Sequence, residues 1–484
     1  MKKHLIKFGF VSLVAVSSLS LLLSCSSFGE VVPVGKISQF DGYYRPSEYS
    51  LNNQDINNSV LRYTLNPVGD QKLLVVPVYF SDGPTWTPLM QENLNTAFFG
   101  NSADTAWESV SSFYKKSSYG QLNISGEVYS TPYRISLTTV EANRMVDAEL
   151  SAKVASDFQK TSISSDKLKE YDKDNDGFVD AVCFIYSSNF RGGTNLWAWV
   201  TWTNERANRN RPTFNNHMWA SYHFTNYVYN TGIDSLTFIH ETGHLLGLDD
   251  YYGGAGSYSP LGGPDMMDLN IVDHNAFTKT VSNWVYPYIV DGTKEKTVIE
   301  ISSFVETGEA IIINNKWNGS AFDEYLLVEF YTPTGLNYKQ SILPTDLRLK
   351  TKGFSIPGVK IYHVDARLAE LNNNKGRLEF KNYVTTKPNF EKNYYLPAAS
   401  NLAKATFVQS DFKLIHLMEA SGTNSFKQGS YANNMTLFQA GDSFTPSAVF
   451  FPKGTRFNSG LSANYTINIL DIGSTKATIE IQKN

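Results

Sequence analysis

Residues 240–250 read H-E-T-G-H-L-L-G-L-D-D and are the most informative stretch of this chain. His240 and His244 are four residues apart, so on a helix they lie one turn apart on the same face, where two imidazoles can share a metal ion. Glu241 lies beside them and can accept a proton from a water molecule bound to that ion. Gly247 favours a left-handed backbone that ends the helix and reverses the chain, so that Asp250 can reach the same ion.

The segment around the two histidines is apolar on most of its circumference, which predicts a helix buried beneath a cleft. The residues that give it this character are Thr237, Phe238, Ile239, Leu245, Leu246 and Leu248. Asp234 or Ser235 can cap its start, because either side chain can accept a hydrogen bond from a free backbone N–H of the first turn.

The motif predicts a zinc site with His240, His244 and Asp250 as ligands and Glu241 as general base. The same His-Glu-x-x-His spacing also arises on a solvated helix face or as a buried histidine pair, without any metal. Gly247 and Asp250 at matching offsets favour the metal site.

The identity of the third ligand has alternatives. Thermolysin-like peptidases take a carboxylate from a later helix, and Asp265 or Asp268 is available for that role. Asp249 is one residue away from the expected position. Gly247 argues for Asp250, since the pattern is similar to that of the metzincins with aspartate in place of the usual third histidine.

Residues 262–268 read G-G-P-D-M-M-D and resemble a Met-turn, the tight turn whose methionine lies under the metal in metzincins. Met267 fits that place best, with Met266 as the alternative. A pair of methionines that only fills a gap in the core is the other interpretation. The position of the turn after the zinc segment favours the Met-turn.

Several segments resemble the immune inhibitor A family of secreted bacterial metallopeptidases, in which a G-L-P-D-L-Y-like continuation follows the two histidines. Here residues 247–252 read G-L-D-D-Y-Y, with Asp249 in place of proline, and Pro264 stands where the family commonly has tryptophan. Further matches follow in order from about Lys72 onward: 73–82 (L-L-V-V-P-V-Y-F-S-D), 112–120 (S-F-Y-K-K-S-S-Y-G), 172–180, 324–329 (E-Y-L-L-V-E) and 358–365 (G-V-K-I-Y-H-V-D). The resemblance implies a zinc endopeptidase that acts outside the cell.

Hydrophobic periodicity predicts an α+β chain. Residues 73–80 and 179–186 are apolar runs typical of buried strands. One helix is expected over 107–119, and another where apolar residues recur every fourth position, at Val146, Leu150, Val154 and Phe158. After Trp284 the pattern changes to short alternating strands, at 297–301, 309–313, 325–330 and on either side of Gly473.

This order of elements predicts two folded regions. We expect a metzincin-like catalytic domain at 67–285, with a mixed sheet and the active-site helix. A β-rich region at 286–484 is expected to form a C-terminal β-sandwich. Residues 218–222 (M-W-A-S-Y) fit either an edge strand that pairs with an extended peptide or a core strand with aromatic packing.

The first residues predict export to the bacterial cell surface. Residues 1–25 combine a basic start, a short apolar run and L-L-S-C at 22–25, which resembles a lipobox with Cys25 as the lipidated residue. An uncleaved membrane anchor is the alternative, although the apolar run is short and interrupted by serines. Residues 26–66 then form a tether or lead-in. If Cys25 is acylated, Cys183 has no partner for an internal disulfide.

Residues 172–180 read D-K-D-N-D-G-F-V-D and predict a second metal site. Carboxylates stand at alternate positions with glycine at the sixth place, as in the first part of an EF-hand calcium loop. The candidate calcium ligands are Asp172, Asp174, Asp176 and Asp180. The twelfth position is Cys183 instead of glutamate, so either another acid completes the shell or calcium binds weakly. An acidic solvated turn is the alternative. Similar loops occur in the family named above, which favours calcium in a structural role.

The composition is that of a folded surface protein. Hydrophobic residues make up 42% and aromatic residues 14% of the chain, enough for more than one core at this length. The formal net charge of −4 comes without a basic patch, which argues against nucleic acid as a partner.

Two classes of function are compatible with these features. The first is a zinc-dependent endopeptidase that hydrolyses peptide bonds of extracellular proteins. The second is a catalytically idle, lipid-anchored adhesin or binding protein on a peptidase fold, which fold alone does not exclude. The presence of Glu241, which a metal site without turnover does not need, favours the enzyme.

Overall fold

The computed structural model describes residues 43–44, 64–192, 194–229, 231–254, 257–343, 351–375, 377–388, 394–402 and 412–484. All of them belong to one compact unit, Lys36–Asn484. The predicted signal segment with Cys25, and most of the lead-in at 26–66, lie outside the described residues. Within the part of the chain that is described, no helix is both long enough and apolar enough to cross a membrane.

The helices and strands alternate along the first half of the chain, and strands dominate the second half. The helices are α1 (Pro88–Phe99), α2 (Val110–Ser117), α3 (Thr139–Ala142), α4 (Asp147–Thr161), α5 (Ser165–Lys169), α6 (Leu236–Leu245), α7 (Ala276–Val281), α8 (Phe304–Thr307) and α9 (Tyr338–Ser341). The strands are β1 (Tyr43–Tyr44), β2 (Gly69–Tyr79), β3 (Leu122–Val128), β4 (Tyr133–Arg134), β5 (Phe178–Val179), β6 (Val182–Tyr186), β7 (Trp199–Trp202), β8 (Thr213–Phe214), β9 (Asn216–Ser221), β10 (Tyr288–Asp291), β11 (Lys296–Ser302), β12 (Ala310–Asn314), β13 (Glu324–Tyr331), β14 (Gly358–Asp365), β15 (Ala369–Asn374), β16 (Arg377–Tyr383), β17 (Ile415–Leu417), β18 (Ser443–Phe444), β19 (Tyr465–Ile472) and β20 (Lys476–Lys483).

A mixed sheet with the order β3-β2-β6-β9-β7 forms the first half, and β4 pairs with the end of β2. All its pairings are parallel except that between β7 and β9. Side chains alternate across this sheet, so each strand contributes to two cores. Leu73 and Val75 of β2 face the core shared with α1, α2 and α6, whereas Leu74 and Val76 face the core shared with α4.

Two further sheets form most of the second half. One has the order β1-β10-β12-β13-β14-β17, and the other has the order β11-β20-β19-β18. A common core lies between them, to which Ile311 and Leu326 contribute from the first of these sheets and Ile299 and Ile479 from the other. The opposite face of the sheet that contains β12, β13 and β14 contributes to the same core as α6 and residues 246–267.

The α+β class is therefore confirmed, and most predicted elements are present. The helix expected over 107–119 is shorter, since Ser109 caps it and α2 begins at Val110. Residues 179–186 form two strands instead of one, β5 and β6. Within the fourfold pattern of α4, Val146 is wrong as a core position, because it is the N-cap and is 66% exposed.

Candidate metal centre

Helix α6 carries both histidines and is buried along nearly its whole length, as the sequence predicts. Ser235 occupies its N-cap position without a side-chain hydrogen bond to the helix. Asp234 does the capping instead, because its Oδ1 accepts a hydrogen bond from Leu236 N at 2.9 Å. Its Oδ2 accepts hydrogen bonds from Val228 N and Tyr229 N, which ties the start of α6 to the preceding loop.

Three acceptor atoms converge beside α6. The Nε2 atoms of His240 and His244 lie 3.1 and 3.4 Å from Asp250 Oδ1, and the three side chains form a group that could hold a metal ion. Two ligands of a tetrahedral zinc ion, each about 2.0–2.1 Å from it, are separated by roughly 3.3 Å. Both observed separations match that value. No described residue makes a hydrogen bond to the buried Asp250 Oδ1.

The other ring nitrogens fix the orientation of the two imidazoles. Nδ1 of His240 lies 2.8 Å from Met266 O, and Nδ1 of His244 lies 2.7 Å from Leu248 O. A carbonyl can only accept, so each Nδ1 must carry the proton. Each Nε2 faces Asp250 Oδ1, and in the neutral imidazole this nitrogen carries the unshared electron pair that metal-ligating histidines use.

Asp250 reaches this position because the chain reverses after α6. Gly247 adopts φ +81°, the left-handed conformation that the sequence predicts. Tyr252 donates a hydrogen bond to Asp250 Oδ2 at 2.8 Å, which leaves Oδ1 directed at the imidazoles. No pattern in the sequence predicts this role for Tyr252, although the residue lies in the continuation of the motif at 247–252.

The segment predicted to be a Met-turn packs directly against α6. A Cβ atom on Gly243 would lie 2.6 Å from Met267 Sδ, so the glycine in the motif permits this close approach. Met267 therefore lies beneath the helix between the two histidines, whereas Met266 contributes its carbonyl to His240. Tyr251 N also donates to Met267 O at 2.7 Å, which joins the turn to the segment that carries Asp250.

The alternative third ligands lie elsewhere. Asp265 accepts hydrogen bonds from Met267 N at 2.8 Å and from Asn275 Nδ2 at 2.7 Å, so its carboxylate holds the turn together. Asp268 accepts a hydrogen bond from Gly263 N at 3.0 Å. Among the described residues, Asp250 alone of these acids groups with the two histidines.

The centre favours positive charge. Burial alone would lower the pKa of His244, but the carboxylates of Asp250 and Glu241 raise it to about 10. Burial likewise opposes ionisation of Asp250, yet the two imidazoles hold the pKa of its carboxyl well below the usual range. A metal cation supplies the charge that these groups stabilise.

Glu241 is buried beside the ligands. Burial raises the pKa of Glu241, and the nearby imidazoles of His244 and His240 offset this only in part. Its Oε2 accepts no hydrogen bond from any described residue. A buried carboxylate oxygen without a hydrogen-bond partner lowers the stability of the folded protein. A chemical role, such as accepting a proton, would explain why it is present.

The acidic loop at 172–180 brings three of its four candidate ligands together. Oxygens of Asp172, Asp174 and Asp176 all lie within 4.8 Å of one another, and Gly177 adopts φ +97°. Oδ1 of Asp172 is buried and has no hydrogen-bond partner among the described residues. Asp180 instead accepts a hydrogen bond from Lys173 N at 3.0 Å, and burial followed by the neighbouring aspartates raises its pKa to about 7.

Residues 218–222 belong to the core. Strand β9 pairs with β6 on one side and β7 on the other, so it is not an edge strand. Met218, Trp219 and Ala220 are fully buried. Cys183, at the twelfth position of the acidic loop, is also fully buried in β6, and burial raises the pKa of its thiol.

Comparison of the sequence with protein-family models and with curated proteins finds no match.

Proposed function

We propose that this chain is a zinc-dependent endopeptidase in which His240, His244 and Asp250 hold the ion and Glu241 acts as general base. The observation that carries the proposal is the convergence of two Nε2 atoms and Asp250 Oδ1, all of them lone-pair acceptors. Both Nδ1 atoms already donate to backbone carbonyls. A cation is therefore the partner that can bind the two Nε2 atoms and Asp250 Oδ1 at once.

The chain's own residues supply the proton transfers. Zinc, when bound there, supplies a Lewis acid that polarises the scissile carbonyl and lowers the pKa of a water molecule. Glu241 accepts the proton that the attacking water loses and delivers it to the leaving nitrogen. The burial of Glu241 supports this role. Because burial raises the pKa of its carboxyl, the protonated form is stable enough to donate the proton in the second step.

An extended peptide is the substrate that suits the site. Strand β7 is the last strand of the mixed sheet, and among the described strands it pairs only with β9. Helix α6 lies near β7, so a chain that adds to this edge would pass close to the metal centre. Backbone pairing of this kind binds a peptide with little regard to its side chains.

We also propose calcium for the acidic loop, in a structural role. The unpartnered Asp172 Oδ1 and the close approach of Asp174 and Asp176 support it, since three carboxylates repel one another unless a cation lies between them. Asp180 remains a candidate ligand only because it lies close enough to the other three aspartates to interact with their charges.

We also propose that the chain consists of a metzincin-like catalytic domain followed by a C-terminal β-sandwich. A metzincin-like catalytic domain is supported by the reversal at Gly247 and by Met267 beneath the helix. A C-terminal β-sandwich is supported by the core that the six-stranded and four-stranded sheets share.

Three substitutions test the catalytic proposal on protein that lacks residues 1–25. Glu241→Gln should retain zinc but lose casein cleavage by about 10²–10⁴-fold, because general acid–base catalysis contributes that much. Asp250→Ala should lose zinc as well as cleavage, whereas Asp249→Ala should keep both. Zinc content is measured by atomic absorption beside each digestion.

The outcomes separate the two classes of function. Undiminished cleavage by the Glu241→Gln variant would reject the mechanism. A wild-type protein that binds zinc at this centre and cleaves no protein substrate would instead favour the idle adhesin or binding protein.

We further propose that the protein is a lipoprotein of the bacterial cell surface, or a secreted protein if Cys25 is not modified. Cys25→Ala should abolish incorporation of labelled fatty acid in the native bacterium, because the thiol is the site of attachment. Equal labelling of wild type and variant would contradict this proposal.

A further inference from the structure

The loop that carries Asp250 is held by residues about 150 positions further along the chain. Ser400 Oγ donates a hydrogen bond to Asp250 O at 3.1 Å. Asn401 Nδ2 donates to Tyr251 O at 2.8 Å, and Asn401 N lies 3.4 Å from Asp250 O. The backbone that directly follows the Cα of the proposed third ligand is therefore fixed from outside the loop.

Asn401 connects this loop to the six-stranded sheet. Its Nδ2 also donates to Ile415 O at 2.9 Å, and its Oδ1 accepts a hydrogen bond from Ile415 N at 3.3 Å. The residue is fully buried, and every partner of its amide is a backbone group. A buried amide with both donors and its acceptor in use has one orientation only.

The rest of the loop follows the same surface. Leu417 N of β17 donates to Pro260 O at 3.0 Å, and Ala432 N donates to Gly262 O at 2.9 Å. A Cβ on Gly254 would lie only 2.2 Å from Leu402 O, so the two backbones are in close contact there. The described part of this segment is thus bound to the C-terminal half at Gly254, Pro260 and Gly262.

We propose that Asn401 is a positioning residue for the metal centre, which it serves by fixing the backbone that carries Asp250. The inference rests on the proposed zinc site. A carboxylate that is already in place when the ion arrives binds it more tightly than one on a loop that must first become ordered. The C-terminal half would then determine metal affinity without providing a ligand.

The test is zinc affinity, measured on the full-length protein by competition with a chelator of known affinity. Asn401→Ala should weaken zinc binding about 10–100-fold, as changes to the outer shell of metal sites do. Asn314→Ala is the matched control. Asn314 is also buried in the C-terminal half and donates to a backbone carbonyl, Glu324 O, at 2.7 Å, but it does not contact the loop. The control variant should bind zinc as the wild type does.

A double substitution separates positioning from general destabilisation. If Asn401 acts through Asp250, Asn401→Ala should cause no further loss of the weak residual affinity that His240 and His244 retain in the Asp250→Ala background, measured at zinc concentrations high enough to fill that site. Ser400→Ala removes one hydrogen bond at a less buried position and should give a smaller loss in the same direction, which keeps the test usable if Asn401→Ala does not fold.

Three results would overturn the inference. These are an unchanged affinity in both the Asn401→Ala and Ser400→Ala variants, an equal loss in Asn314→Ala, or an additive loss in the double variant. A wild-type protein that binds no zinc would overturn the proposed function itself, which distinguishes that failure from a failure of Asn401.

Discussion

At the scale of single residues, the two acids of the Met-turn differ in how well their charge is stabilised. Burial raises the pKa of Asp265 to about 7, although hydrogen bonds from Met267 N and Asn275 favour its ionised form. Burial and then the neighbouring Asp265 raise the pKa of Asp268 to about 8. Among the described residues, only Gly263 N donates a hydrogen bond to the Asp268 carboxyl, and Asp268 Oδ1 has no hydrogen-bond partner. Burial therefore favours the protonated form of Asp268 in the folded state.

This protonation predicts a pH dependence of stability. The pKa of Asp268 is about 8 in the folded protein and about 4 in the unfolded chain, so the stability it contributes is complete below about pH 4 and is lost as the pH rises through about 8. Asp268→Asn keeps the shape and the acceptor for Gly263 N but cannot ionise. At constant zinc and calcium, the unfolding free energy of the variant relative to that of the wild type should therefore increase as the pH rises through that range. The increase should be up to roughly 1.4 kcal/mol per pH unit.

Denaturant unfolding at pH 5 and pH 8 measures this difference. Asp166→Asn serves as control, since the Asp166 side chain is 98% exposed, and its effect should be the same at both pH values. A constant gap between wild type and Asp268→Asn would show that Asp268 is ionised in the folded protein.

At the scale of elements, local patterns predicted what local forces decide. The spacing of His240, His244 and Gly247 gave the helix and its end, because helix periodicity and a left-handed glycine depend on a few neighbouring residues. The alternation in β11 also corresponds to its burial, with every second residue inside. In contrast, the alternation expected at 309–313 and 325–330 is wrong, because β12 and β13 are buried on both faces, and burial of the second face depends on elements distant in sequence.

The contacts that hold Asp250 were not predictable for the same reason. Tyr252 could be suspected from its place in the motif, but the hydrogen bond to Asp250 depends on the exact reversal at Gly247. Asn401 had no signal at all, since it is separated from Asp250 by about 150 residues and lies in no motif. Sequence patterns indicate which groups can bind a metal, whereas long-range packing decides which of them meet.

The acidic loop gives a prediction at this scale. If Asp172, Asp174 and Asp176 bind calcium, its removal should lower the thermal midpoint, because an ion bound only by the folded state stabilises that state. The gain is about 2.7 kcal/mol when free calcium is 100 times its dissociation constant. The Asp174→Ala and Asp176→Ala double variant should show no dependence of the midpoint on calcium.

The measurement uses a calcium-selective chelator and leaves zinc in place, so that loss of the catalytic ion does not confuse the result. Identical melting of the wild type with and without calcium would leave the loop as an acidic turn. That result would not bear on the zinc proposal.

At the scale of the whole molecule, the two predicted regions share one core. Leu245 of α6 and Met267 of the Met-turn belong to the same buried cluster as Leu327 of β13 and Leu417 of β17. Leu65 also belongs to this core, since it is buried there and donates its N–H to Leu245 O at 3.0 Å. The proposed metal centre therefore lies where both halves meet.

The shared core predicts that the segment 67–285 does not fold by itself. Without residues 286–484, it would expose the apolar surface that it contributes to this core, part of which α7 packs against β13, and it would lose Asn401 and Ser400 from the loop of Asp250. We expect this fragment to show no cooperative thermal transition and to bind zinc far more weakly than residues 67–484, prepared in the same way as control. Circular dichroism on heating and zinc competition measure the two effects. A fragment 67–285 that melts sharply and binds zinc as the longer protein does would show instead that the catalytic region is an independent domain, and that the contacts across the shared core add stability without creating the fold.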